Sequence, residues 1–99
     1  MNFDFLCRFN HSIVEENIRR TNVIYGGYNI AITNAYFSHG ELDPWHPMGI
    51  LEDLNKLSPA FIIPRSAHVP DHRSISINDS IEMRESKERI RELIRGWLQ

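Results

Sequence analysis

The residues best suited to chemistry lie in one turn, Tyr36–Pro47, and in a loop further along the chain. The turn holds a carboxylate, Asp43, and the proline that follows it restricts Asp43 to extended backbone angles. The later loop holds an imidazole, His68. A carboxylate bound to a histidine fixes the tautomer of the ring and stabilises its protonated form, so that the other ring nitrogen can take a proton from a nucleophile. Asp43 and His68 are therefore candidates for the acid and the base of such a relay.

Two apolar runs precede these residues and are predicted to be strands. Residues 30–37 are mostly apolar and rich in β-branched or aromatic side chains, and Ala60–Ile63 is a short apolar run bounded by prolines. Both are typical of buried parallel strands. Ligands and catalytic groups of an open α/β sheet gather at the carboxyl ends of its strands. The turn with Asp43 and the loop with His68 are therefore expected at the same edge.

Helices are predicted at residues 12–20, 47–54 and 79–98. The first begins with a capping box, Ser12 and Glu15, and the last has Asp79 as its cap with Glu82 three residues later. In the last helix, Glu85–Arg89 is a supporting ion pair. Its apolar stripe consists of Ile90, Leu93, Ile94, Trp97 and Leu98.

The order of these elements predicts the fold class α/β, with a β-α-β-α unit of a parallel sheet. Parallel strands need neighbours on both edges and helices on both faces, and the 99 residues supply too few of either. We therefore expect an incomplete domain, which belongs to a larger one or pairs with another chain.

Composition excludes several classes of protein. The net charge of −2 gives no basic field for nucleic acid and no polybasic membrane patch. No apolar run approaches the roughly 20 residues that span a bilayer. Residues 1–7 lack the features of a signal peptide, and Cys7, the only cysteine, has no partner for a disulfide within the chain.

Several short motifs together resemble a known family. They are Tyr25-Gly26-Gly27, Thr33-Asn34, Gly40-Glu41-Leu42-Asp43-Pro44-Trp45-His46, Gly49-Ile50, Ile63-Pro64 and Ala67-His68. The chain resembles, over residues 12–98, the C-terminal region of the serine carboxypeptidases and dipeptidyl peptidases specific for proline. The resemblance implies the C-terminal part of an α/β-hydrolase peptidase domain over residues 1–99.

The resemblance also assigns roles to individual residues. It makes Asp43 the acid and His68 the base of a catalytic triad, whose members run in the order nucleophile, acid, histidine. Trp45 would line the pocket for the proline of the substrate, although a core tryptophan is an equal alternative. The resemblance implies a proline-containing peptide substrate, the remaining part of the same domain as a partner, no metal or organic cofactor, and a secreted or lysosomal location.

The nucleophile of this family lies in a glycine-flanked elbow, Gly-x-Ser-x-Gly, and none of the serines here has that setting. The oxyanion hole depends on the same elbow. We therefore expect the chain alone to be inactive.

Two alternatives come from other classes of function. The residues His39, Asp43, His46, His68, Asp71 and His72 could serve as metal ligands, although Pro70 breaks the helix that would pair His68 with His72. The chain could also be a non-catalytic remnant or interaction module that docks through its charged last helix. Two N-glycosylation sequons, Asn10-His11-Ser12 and Asn78-Asp79-Ser80, agree with a secretory origin.

Overall fold

The computed structural model describes residues 9–99. The predictions for residues 1–7, including the fate of Cys7, lie outside this range. The described residues divide into two compact units, one that ends at residue 31 and one that comprises residues 32–99.

The described part of the first unit is dominated by helix α1, His11–Tyr25. Its cap is Asn10, whose side-chain oxygen accepts a hydrogen bond from the backbone N–H of Ile13 at 3.0 Å. The predicted capping box at Ser12 was therefore wrong, and the helix also extends beyond its predicted end near Arg20. The helix continues until Gly26 adopts a left-handed conformation, φ 95°, which terminates helices and favours glycine. A short 3-10 helix, Gly27–Asn29, follows.

The second unit contains a two-stranded parallel sheet, as the sequence predicts. Strand β1 is Phe37–Gly40 and strand β2 is Ala60–Ile63, with Phe37 opposite Ala60 and Gly40 opposite Ile63. The bounds of β2 were predicted correctly. The α/β fold class is thus observed, as a small unit with one parallel strand pair.

The predicted strand at residues 30–37 was wrong in its position. Only residues that face β2 can form ladder hydrogen bonds, and β2 has four residues, so β1 is equally short. Upstream of it, Asn34 has a left-handed backbone, φ 58°, which interrupts any extended run. The helix predicted at residues 47–54 is only a 3-10 helix, His46–Met48, because Gly49 returns the backbone to an extended conformation.

Helix α2, Ile81–Trp97, closes the second unit. Its cap is Ser80, whose hydroxyl accepts from the N–H of Met83 at 3.1 Å. Asp79, the predicted cap, instead accepts from the N–H of Ser76 and from the ammonium group of Lys87, both at 2.8 Å. The predicted ion pair between Glu85 and Arg89 is present at 3.4 Å.

The buried side of α2 lies nearer its start than the predicted stripe. Met83, Ser86 and Lys87 are buried, whereas Ile94, Trp97 and Leu98 are exposed. Within residues 9–99, the only fully apolar side chains that are buried are those of Ile63 and Met83. Over the same range, no helix has the length and apolar character needed to cross a membrane.

Candidate active site

The candidate site is built where the two parallel strands end. Gly40 is the last residue of β1, and a Cβ atom placed there would collide with the carbonyl oxygen of Ala67. A side chain is therefore excluded, because the obstacle is backbone. The absence of a side chain at Gly40 lets the loop that follows β2 pass directly against the end of β1.

Hydrogen bonds fix this loop against the turn after β1. The N–H of Glu41 donates to the carbonyl of Ile63 at 3.0 Å, and the N–H of Leu42 donates to that of Ser66 at 2.9 Å. In the opposite direction, the N–H of Arg65 donates to the carboxylate of Glu41 at 2.8 Å. The turn and the loop thus form one hydrogen-bonded unit.

Asp43, in the turn, and His68, in the loop, face each other. Oδ2 of Asp43 lies 2.7 Å from Nδ1 of His68. An ionised carboxylate only accepts hydrogen bonds, so Nδ1 carries the proton and donates it to Asp43. In the neutral imidazole, Nε2 is then left with a free lone pair. This is the tautomer that a general base requires.

Asp43 is held from several sides. Its other oxygen, Oδ1, accepts from the backbone N–H of Trp45 at 2.9 Å, and only 6% of the residue is exposed. The hydrogen bond from His68 lowers the pKa of Asp43 below its ordinary value, and the bond from Trp45 adds to this effect. Asp43 therefore remains ionised at neutral pH.

His68, in contrast, presents its ring to solvent. Its side chain is 64% exposed, and it lines an open cleft of about 1040 Å³ together with Arg65, His72 and Arg73. A buried acid behind an exposed imidazole leaves the outer side of the ring accessible to another group. Such an arrangement can accept a proton from a nucleophile that approaches the ring.

Trp45 contributes to the site through its backbone N–H. Its side chain is 65% exposed, so it is not part of the core of residues 32–99. Its predicted role in a proline pocket stays a prediction.

The other histidines of the metal hypothesis have different contacts. Nε2 of His39 donates to the carbonyl of Ile50 at 2.9 Å, while its ring is close against Gly49. Nδ1 of His46 donates to the carbonyl of Asp43 at 2.7 Å. Over residues 9–99, no three His, Cys, Asp or Glu side chains are arranged to hold a metal ion. The geometry therefore does not assemble the six candidate ligands.

Sequence reasoning missed two features of the site. One is the close approach of Gly40 to the loop, and the other is the backbone N–H of Trp45. The signal for the second was available, because an Asp-Pro-x turn places the N–H two residues on within reach of the aspartate side chain. Outside the site itself, the hydrogen-bonded side chains of Tyr36, Asp71 and Ser86 were also missed, because residues so far apart in the chain leave no local sequence signal.

Comparison with known proteins gives consistent results. The family model Serine carboxypeptidase S28 matches residues 5–90. Thymus-specific serine protease of Mus musculus is 32% identical over 85 residues, which cover 86% of this chain and 17% of that protein. Lysosomal Pro-X carboxypeptidase is 34% identical over 76 residues in Bos taurus and 38% identical over 78 residues in Homo sapiens. These matches cover 76% and 70% of this chain, and 15% and 16% of the respective relatives. No solved structure gives a significant match.

Proposed function

Because the chain belongs to the serine carboxypeptidase S28 family, we propose that it supplies the acid and the base of a serine peptidase triad. Asp43 is the acid and His68 is the base. The surrounding strand pair is proposed to belong to an α/β-hydrolase sheet, of which residues 1–99 form the C-terminal part. The chain spans less than a fifth of the length of the relatives it matches, so the activity of a whole enzyme is part of the proposal.

One observation carries the proposal, namely the 2.7 Å contact between Nδ1 of His68 and Oδ2 of Asp43 at neighbouring strand ends. The order of the two residues in the chain is that of the α/β-hydrolase triad. The buried, ionised acid and the exposed imidazole are what the relay requires, because the acid must stay charged while the base meets the nucleophile.

The proposed mechanism follows from this geometry. Nε2 of His68 takes the hydroxyl proton of a serine as that oxygen attacks the carbonyl carbon of the substrate, and then gives the proton to the leaving amine. Asp43 holds the ring in the required tautomer and stabilises the imidazolium. Water, activated by the same nitrogen, releases the acyl group from the serine.

The nucleophile must come from a segment outside these 99 residues, since they contain no Gly-x-Ser-x-Gly elbow. The oxyanion donors belong with that elbow. The chain by itself is therefore proposed to give no measurable acyl transfer.

The substrate class and the location are proposed from the relatives. Two of them are named lysosomal Pro-X carboxypeptidases, so we assign a peptide substrate with proline next to the cleaved bond and a lysosomal or secreted location. Trp45, exposed beside the acid, is the candidate wall of the proline pocket.

A chimaera tests the proposal. The matching stretch of the Bos taurus lysosomal Pro-X carboxypeptidase is replaced by that of this chain, and hydrolysis of a peptide ending in Pro-Phe is measured. We expect activity that Asp43→Asn lowers by about 10⁴-fold in kcat, because the imidazole then has the wrong tautomer. Removal of the imidazole by His68→Ala should cause a loss of similar order.

The matched controls are Asp53→Asn and His11→Gln, which change an aspartate that accepts from the N–H of Ala60 and a histidine that is paired with Glu15. Both should leave kcat within a factor of about two, as expected for surface substitutions. A folded chimaera that is inactive, or one that is equally active with Asn at position 43, would refute the assignment.

A further inference from the structure

A chain of two hydroxyl groups and one carboxyl group, with a half-buried end at Tyr36 and a buried end at Asp71, includes a residue of the loop that follows His68. The Tyr36 hydroxyl lies 3.2 Å from Oγ of Ser86, and Oγ of Ser86 donates to Oδ2 of Asp71 at 3.2 Å. Ser86 is completely buried, and Asp71 is 6% exposed. A serine hydroxyl has one hydrogen, so Ser86 must accept from Tyr36 while it donates to Asp71.

The three residues come from three separate elements. Tyr36 directly precedes β1, Ser86 lies on the buried side of α2, and Asp71 lies in the short 3-10 helix Pro70–His72. The chain of hydrogen bonds therefore connects that 3-10 helix to both the sheet and the helix behind it. Asp71 is only three residues beyond His68.

Of the two residues between His68 and Asp71, the first has an unusual backbone. Val69 has φ 44° and ψ 46°, the left-handed conformation, which is rare for a β-branched side chain. Pro70 restricts the backbone of Val69 further. Such a conformation persists only where the structure on both sides fixes it. On one side His68 is bound to Asp43, and on the other Asp71 is bound to Ser86.

We propose that Tyr36, Ser86 and Asp71 are positioning residues that hold the His68 loop so that Nδ1 of His68 meets Oδ2 of Asp43. This inference rests on the proposed function, because positioning of the His68 imidazole matters for catalysis only if His68 is the general base. None of the three residues is hydrogen-bonded to the imidazole, whose bond goes to Asp43, so their effect passes through Val69 and Pro70.

The direction of the hydrogen bonds supports this role. Burial raises the pKa of Tyr36, so its hydroxyl stays protonated and acts as a donor throughout the neutral range. A buried carboxylate that loses its donor is strongly disfavoured. Without the Ser86 hydroxyl, Asp71 would move toward water and carry the loop with it, because Pro70 leaves little freedom to absorb the movement.

The test uses the chimaera described above, with ¹⁵N-labelled histidine and the substitution Ser86→Ala. The readout is the NMR signal of the His68 Nδ1 proton, which is detectable only while its hydrogen bond to Asp43 protects it from exchange. We expect the signal to be lost in Ser86→Ala, which removes the donor to Asp71, and to be kept in Ser86→Thr, which retains a hydroxyl group. In Tyr36→Phe the signal should be weakened, because Ser86 still donates to Asp71 but is itself no longer held by Tyr36.

Ser58→Ala is the matched control. Ser58 is also completely buried and also donates one hydrogen bond, to the carbonyl of Ile32 at 3.1 Å, but it has no link to Asp71. We expect this variant to lower stability as Ser86→Ala does and yet to keep the His68 signal. Tyr36→Phe, which removes a single oxygen atom, gives the answer if Ser86→Ala fails to fold.

A His68 signal as strong in folded Ser86→Ala or Tyr36→Phe as in the unsubstituted protein would overturn the proposal. A loss of the signal in Ser58→Ala equal to that in Ser86→Ala would also overturn it. The measurement needs no nucleophile and no substrate. Failure of the positioning proposal is therefore distinguishable from failure of the peptidase assignment, which the chimaera tests by turnover.

Discussion

At the scale of single residues, Asp43 is defined by its hydrogen bonds. One oxygen accepts from His68 and the other from the backbone of Trp45, and both bonds favour the ionised carboxylate. The pairing of Asp43 with His68 was expected from their positions after two predicted strands and from the family resemblance, and their roles as acid and base stay a prediction. The Trp45 bond and the 6% exposure of Asp43 depend on how the turn packs, which the local sequence does not specify.

The first prediction concerns the His68 contribution to the pKa of Asp43. Since the hydrogen bond from His68 is the largest cause that lowers this pKa, His68→Ala should raise it toward its ordinary value. Titration of the Asp43 carboxyl carbon by NMR measures the change. His11→Ala, which removes an exposed imidazole in α1, should leave the pKa unchanged, and an equal shift in both variants would contradict the prediction.

The same bond makes stability depend on pH. The pKa of Asp43 is lower in the folded than in the unfolded chain, where an aspartate has a pKa of about 3.9. Its contribution to stability is therefore present above about pH 5 and is lost as the pH falls through the lowered folded value. In urea unfolding between pH 7 and pH 2, Asp43→Asn should be less stable at pH 7 and should lose less stability on acidification. If Asp43→Asn lost more stability on acidification than the unsubstituted protein does, the prediction would be contradicted.

At the scale of elements, the sequence predicted the two long helices and strand β2 better than the caps of the helices or the position of strand β1. Near the start of each helix two residues could cap, Asn10 or Ser12 for α1 and Asp79 or Ser80 for α2, and for α2 the choice depends on a tertiary partner. Asp79 is occupied by Lys87, which leaves Ser80 to cap α2. Likewise, the end of β1 is set by the length of β2 rather than by its own apolar run.

The caps give a prediction for helix α1. Asn10→Ala should lower the stability of the helix by about 1 kcal/mol, because the N–H of Ile13 loses its acceptor. Ser12→Ala, inside the helix, should have a much smaller effect and could slightly favour helix formation. Circular dichroism during urea unfolding compares the two variants. A larger loss of stability in Ser12→Ala than in Asn10→Ala would instead support the capping box that the sequence suggests.

The junction of the strand ends gives a sharper prediction. Gly40→Ala places a Cβ atom against the backbone carbonyls of Ser66 and Ala67, so the turn and the loop must separate. We expect a loss of more than about 3 kcal/mol in the free energy of unfolding, in the range of severe core substitutions. Urea unfolding measures it, together with loss of the His68 Nδ1 signal.

Gly96→Ala is the matched control, since a Cβ atom at Gly96 meets nothing within 4 Å and the residue lies in α2. Alanine there should raise stability by roughly 0.5–1 kcal/mol through its higher helix propensity. If both variants were destabilised equally, the close approach at Gly40 would not be the cause.

At the scale of the whole molecule, the prediction of an incomplete sheet was based on counting strands. Residues 32–99 contain one parallel pair, and a two-stranded sheet is marginal in water without further partners. Both strands leave an outer edge without a third strand in the described sheet. What the sequence could not predict is which apolar side chains stay uncovered, because that depends on the partner surface.

The last prediction follows from those uncovered side chains. Within residues 32–99, Leu42, Met48, Ile77, Ile81 and Leu98 are each more than half exposed, while apolar burial is confined to Ile63 and Met83. Exposed apolar surface on this scale promotes association. We expect the isolated chain to self-associate in sedimentation velocity and to bind a hydrophobic dye. The chimaera should stay monodisperse and bind little dye, because the rest of the domain covers the same side chains. A monomeric chain with cooperative unfolding and no dye binding would instead favour an independent interaction module, and would require a different account of the exposed residues.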